Sequence, residues 1–119
     1  LSSAVQNWTH KDRIGRIEIP VGVAYGSDVE RVEEILLEVA QAHDQISAVP
    51  EPHVLFMDFA DSSLNFELRC FTDEILRRLR IASELRFAIN RRFAEAGIEI
   101  PFPQRVVHLP AAGSPGDEA

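Results

Sequence analysis

A chain of 119 residues with 45% hydrophobic content has the length and composition of one globular domain, too short for two independent cores. Its formal net charge of −7 argues against a nucleic-acid groove, which needs clustered Lys and Arg to release phosphate counterions. Cys70 is the single cysteine, so no intrachain disulfide can form, and no apolar run has the length of a membrane span or the pattern of a signal peptide.

The chain opens on Leu1 rather than Met, as a piece cut from a longer protein would, and the absence of a span then says nothing about the parent. Residues 4–9 read as a short strand belonging to something upstream, and the polar stretch 10–13 ends it. From 16 to 25 the alternation is clean: Ile17, Ile19, Val21, Val23 and Tyr25 share one face, and Pro20 marks an edge strand or a bulge. Gly26 turns the chain, and Ser27 with Glu30 has capping-box spacing for a helix running to about His43. Its expected apolar stripe is Val29, Val32, Leu36, Val39 and Ala40.

Pro50 and Pro52 bracket a linker. A second strand over 54–59 meets a third over 64–71 through a tight turn at Asp61 and Ser62. The third strand sets Leu64, Phe66, Leu68 and Cys70 on one face, with Asn65, Glu67 and Arg69 on the other. Thr72 is placed to cap a second helix, with Asp73 and Glu74 suiting its dipole. Ile75, Leu79, Ala82, Ile89 and Phe93 form its expected buried stripe, and Gly97 closes it. A last strand is expected over 106–109, and residues 110–119 are small, polar and expected to be disordered. The order strand, helix, strand, strand, helix, strand predicts an α+β, ferredoxin-like βαββαβ fold, an antiparallel sheet with two helices on one face.

Candidate chemistry is sparse. His10, His43, His53 and His108 lack metal-site spacing, and no cysteine pair assists them. Asp58 and Asp61 beside Ser62 and Ser63 admit acid–base work or cation binding, but a hydrogen-bonded turn is the favoured reading. Asp58 stands out because it falls where the alternation expects a hydrophobe. Cys70 reads as a packing thiol rather than a reactive one. The turn VAYGSD has the outline of an anion site, yet Asp28 and Glu30 would repel the ligand. These patterns point to no enzyme, no metal and no bound cofactor.

The weakest case for a purely structural role is the arm of Ile100, Pro101, Phe102 and Pro103. Two prolines hold it extended, and a small domain has little left to cover its apolar side chains. Trp8, the only tryptophan, is either a contact with a neighbouring domain or subunit or a core residue.

QNW at 6–8, PVGVAYGSD at 20–28, DSSLNFELR at 61–69 and GIEIPFPQR at 97–105 follow one another along the chain. In order and spacing they resemble the cytoplasmic domain of small-conductance mechanosensitive channels, the MscS-type family. The resemblance implies that residues 1–13 end an upstream β-domain and that 14–109 form the C-terminal α/β domain. It further implies a parent channel in the bacterial inner membrane, opened by tension and passing ions and small osmolytes. This piece would then lie on the cytoplasmic side as part of a homoheptameric cage, with Trp8, Ile100, Pro101, Phe102 and Pro103 as subunit-contact candidates. One departure is that His108 and Leu109 lead into Pro110, Gly113 and Pro115, a composition unfit for the barrel strand that can close such a cage. The rival classes are a ferredoxin-like ligand-binding or regulatory module and a small enzyme built around Asp58. An RNA-binding variant is disfavoured by charge.

Overall fold

The computed structural model describes residues 15–101. Among them, strand β1 (Arg16–Val23) leads to helix α1 (Val29–Ala42), then to strands β2 (His53–Phe59) and β3 (Leu64–Phe71), a 3-10 turn (Ile75–Arg77), and helix α2 (Arg78–Ala96). The strands pair antiparallel in the order β1-β3-β2, with Ile19 opposite Leu68 and Val54 also opposite Leu68. Three antiparallel strands and two helices make the α+β fold that alternation and helical periodicity led to. The last expected strand, over 106–109, and the upstream strand, over 4–9, lie outside the described residues.

Pleating sends alternate side chains to one face. Ile17, Ile19 and Val23 of β1 and Leu64, Phe66, Leu68 and Cys70 of β3 are buried there. Val32, Ile35, Leu36, Val39 and Ala40 of α1 and Ile81, Ala82, Leu85, Ile89 and Phe93 of α2 close over them, forming one core cluster. The opposite face mixes Leu55 and Phe71 with charged side chains. There Arg16 pairs with Glu18 at 3.1 Å, and Arg69 with Glu67 at 2.8 Å.

Several local expectations shift. β1 stops at Val23, so Tyr25 belongs to the turn, 53% exposed, with its hydroxyl donating to the Ala60 carbonyl. The N-cap of α1 is Asp28, whose Oδ1 accepts from the Arg31 amide at 3.2 Å. Ser27 instead donates back to the Ala24 carbonyl at 2.7 Å, which closes the turn and leaves the cap to the next residue. Thr72 Oγ1 accepts from the Glu74 amide at 3.0 Å, a turn ahead of the 3-10 segment, and neither that segment nor α2 has a side-chain N-cap bond. Ala82, Ile89 and Phe93 hold the expected buried stripe of α2. Ile75 and Leu79 face out, 37% and 82% exposed, while Ile81 and Leu85 take the buried positions. Gly97 ends α2 at φ 73°, as expected, and the Ile98 amide donates to the Phe93 carbonyl at 2.9 Å.

The anomaly at Asp58 has a backbone cause. A register irregularity between Phe56 and Asp58 sets Asp58 opposite Asn65 on the face away from the core and returns Phe59 to the side of Leu64. Asp58 Oδ1 accepts from Asn65 Nδ2 at 3.0 Å, and Asn65 Oδ1 accepts from Ser63 Oγ at 2.7 Å. The hairpin is closed by the Ala60 amide donating to the Ser63 carbonyl at 2.8 Å.

Candidate functional site

The arm begins as a docked segment. Ile98 packs against the core, and the Glu99 carbonyl accepts from the Ala24 amide at 2.9 Å, fastening the arm to the end of β1. Ile100 is 50% exposed and Pro101 is half-buried. Ile100 closes one end of a groove of about 220 Å³ between β1 and α2, with Ile19, Val21, Arg86 and Ile89 along it. Trp8, Phe102 and Pro103 lie outside the described residues, so the structure brings together only two of the five contact candidates.

A second groove, of about 380 Å³, continues along β1 and α2 towards the start of both elements. Ile17, Leu79 and Ala82 give it apolar walls, and Arg16, Arg78 and Arg86 with Glu18 ring it. Across the domain, Phe56 stacks on Phe66 with ring centroids 4.5 Å apart and meets Phe59 at 5.0 Å. Phe56 is 43% exposed and Phe59 74%, so this aromatic pair reaches solvent at the β2 edge. Both surfaces escaped the sequence reading. Leu79 is exposed, and the i, i+4 ladder of Ile81, Leu85, Ile89 and Phe93 is the stronger signal for the buried side of α2.

The titratable groups serve the scaffold. His43, at the end of α1, accepts at Nδ1 from the Gln45 amide at 3.1 Å, which leaves its Nε2 proton for Glu84 Oε1, 2.7 Å away on α2. The hydrogen bond to His43 holds the Glu84 carboxyl below its ordinary pKa of 4.5, with the charges of Arg77 and Arg80 adding to it. A carboxylate whose folded pKa is depressed contributes stability above its unfolded value, and that contribution is lost as pH falls through the folded one. Glu84→Gln should therefore flatten the acid limb of a stability-versus-pH curve below about pH 4.5, with the two curves converging at the lowest pH. Parallel curves throughout would show that the contact carries no linkage.

Cys70 is fully buried in the core, and burial pushes its thiol pKa up to about 11. A maleimide at neutral pH should leave the folded chain unlabelled and modify one thiol in denaturant. Labelling of the folded chain at the unfolded rate would contradict the burial. His53 is exposed, and His10 and His108 lie outside the described residues. Among the described residues no three His, Cys, Asp or Glu side chains converge as metal ligands, and no helix is long and apolar enough to cross a membrane.

The fold and its motifs have counterparts among known proteins. Residues 17–100 match the family model described as "Mechanosensitive ion channel MscS, C-terminal". The chain is 40% identical over 103 residues to the mechanosensitive channel MscK of Escherichia coli, covering 87% of this chain and 9% of that protein. It is 36% identical over 109 residues to an MscS family protein of Haemophilus influenzae, covering 92% of this chain and 10% of the relative. The chain thus spans about a tenth of the length of these two curated relatives. The crystal structure of Helicobacter pylori MscS in its closed state superposes with a TM-score of 0.68 at 34% identity, over 73% of this chain and 34% of that one. These residues, their fold and their relatives agree: the chain belongs to the MscS mechanosensitive ion channel family and carries the C-terminal domain of that family.

Proposed function

We propose that this domain is the cytoplasmic part of a tension-gated channel in the bacterial inner membrane, one that releases ions and small osmolytes on hypo-osmotic shock. The observation that carries the reading is the match over residues 17–100 to the channel family's C-terminal domain, together with a relative named as a mechanosensitive channel. In this reading the domain is not an enzyme. It is one wall element of a homoheptameric cage through which permeating solutes pass, with no nucleic-acid partner and no cofactor. Its titratable groups support this. Asp58 is spent on a hairpin network, His43 on joining two helices, and Cys70 is sealed in the core.

The subunit contact is proposed to involve the arm, with Ile100, Pro101, Phe102 and Pro103, and Trp8 ahead of the domain. Ile100 supports this by standing half-exposed where the arm leaves β1. The test is survival. A bacterial strain stripped of its own tension-gated channels should survive abrupt dilution from high-salt medium when it expresses the full-length parent of this chain. Survival no better than with empty vector, at equal membrane expression of the parent, would sink the reading.

A further inference from the structure

The two flanks of the domain carry opposite charge. α1 packs against β2 and β3, whereas α2 packs against β1. Because β1 and β2 are the outer strands of the described sheet, the two helices' free sides face opposite directions. The α2 flank carries a groove of about 380 Å³ with Leu79, 82% exposed, in its wall and Arg16 and Arg86 beside it. The sequence of α2 sets five arginines against two glutamates. The α1 sequence is the reverse, four glutamates against one arginine.

Internal pairing uses part of these charges. Arg92 meets Glu38 at 2.6 Å across the seam between the helices, and Arg31 meets Glu34 at 2.9 Å along α1. Glu30 and Glu33 are exposed and take no part in the ion pairs among the described residues. Helical periodicity puts Glu33 on the side of α1 away from that seam, towards the β2 edge where Phe59 protrudes. One flank thus carries an exposed aromatic near acidic residues, and the opposite flank a groove walled by Ile17, Leu79 and Ala82 and edged by Arg78, Arg86 and the Arg16–Glu18 pair. Two different patches on opposite sides of a subunit produce a head-to-tail interface, which closes into a ring when the rotation permits. A desolvated aromatic anchor within a charged rim is also how protein interfaces concentrate their binding energy.

We infer that the β1–α2 groove of one subunit receives the Phe59 edge of the next copy of this chain, with Glu30 and Glu33 of that copy set against Arg86. This rests on the channel reading, since it is the intact oligomer that would hold neighbouring copies in register. It adds to that reading a specific, directional seam between described residues, next to the arm at Ile100.

Cross-linking decides it, and the buried Cys70 makes the chain suited to the test. In the full-length parent, with cysteines outside this chain replaced by serine, Leu79→Cys and Phe59→Cys are introduced singly and together. A short bis-maleimide is then applied to membranes. The double variant should give a ladder of covalent multimers, and each single variant should remain monomeric on a denaturing gel. Arg86→Cys with Glu33→Cys should repeat the result. All four sites are solvent-accessible, so loss of folding is not expected to confuse the outcome. Dimers from either single variant would mean a symmetric contact and overturn the proposal. So would a cross-linked monomer from Leu79→Cys with Phe102→Cys, which would put the chain's own arm in the groove. An absent ladder in protein that still runs as an oligomer on a native gel defeats this seam alone. A parent that is monomeric on the native gel defeats the channel reading itself.

Discussion

Phe93→Ala will cost the domain about 3–5 kcal/mol in urea unfolding, the range for emptying a buried aromatic site. Phe93 is 1% exposed in the last turns of α2, inside the cluster that joins both helices to the sheet. Its carbonyl also receives the Gly97 and Ile98 amides, so its surroundings are held in place and have little freedom to collapse into the void. Phe87, two turns earlier, is 73% exposed, and Phe87→Ala should move stability by no more than about 0.5 kcal/mol. The ratio between the two variants is the readout. Equal losses would mean that α2 is rotated from the position described.

Gly15→Ala should cost about 1–3 kcal/mol, the range for forcing atoms into a filled site. A Cβ at position 15 would come within 2.6 Å of the Thr72 carbonyl oxygen, which is main chain and cannot swing aside. The two backbones are drawn together because the Thr72 amide donates to the Gly15 carbonyl at 2.9 Å, just beyond the pairing of Arg16 with Phe71. Gly22→Ala is the control. Its Cβ would meet the Ser63 hydroxyl at 3.3 Å and the Asn65 side-chain oxygen at 3.4 Å, both of which can yield. A loss at Gly15 no larger than at Gly22 would show that the close approach at the start of β1 is relaxed in solution.

The legible parts of this fold were those in which one period holds over a whole element. β3 alternates without interruption between buried and half-buried positions from Leu64 to Phe71, and its register partner β1 buries Ile17, Ile19 and Val23. Gly97 announced the end of α2 because a left-handed cap favours glycine. Where a local irregularity enters, the period misleads. The bulge before Asp58 moves a carboxylate that alternation assigns to the core out to the face away from it. The 3-10 turn at Ile75–Arg77 keeps Ile75 out of α2, and Leu79, in that helix's first turn, lines a surface groove while Ala82, Ile89 and Phe93 hold the expected stripe. Asp28 displaces Ser27 as the N-cap because the Ser27 hydroxyl is already committed to the Ala24 carbonyl. Each of these depends on a hydrogen bond or a turn that a pattern of apolar residues does not encode. The facing charges of α1 and α2 were readable as composition, but their placement on opposite flanks follows only from the strand order β1-β3-β2.

Single-channel recording on the full-length parent tests the central proposal most directly. The protein is reconstituted into liposomes free of other channels, and suction is applied to excised patches. Discrete conductance steps should appear above a reproducible pressure threshold, be absent at rest, and vanish when the parent is omitted. Inserted, oligomeric protein that passes no current at tensions approaching membrane rupture would contradict the account.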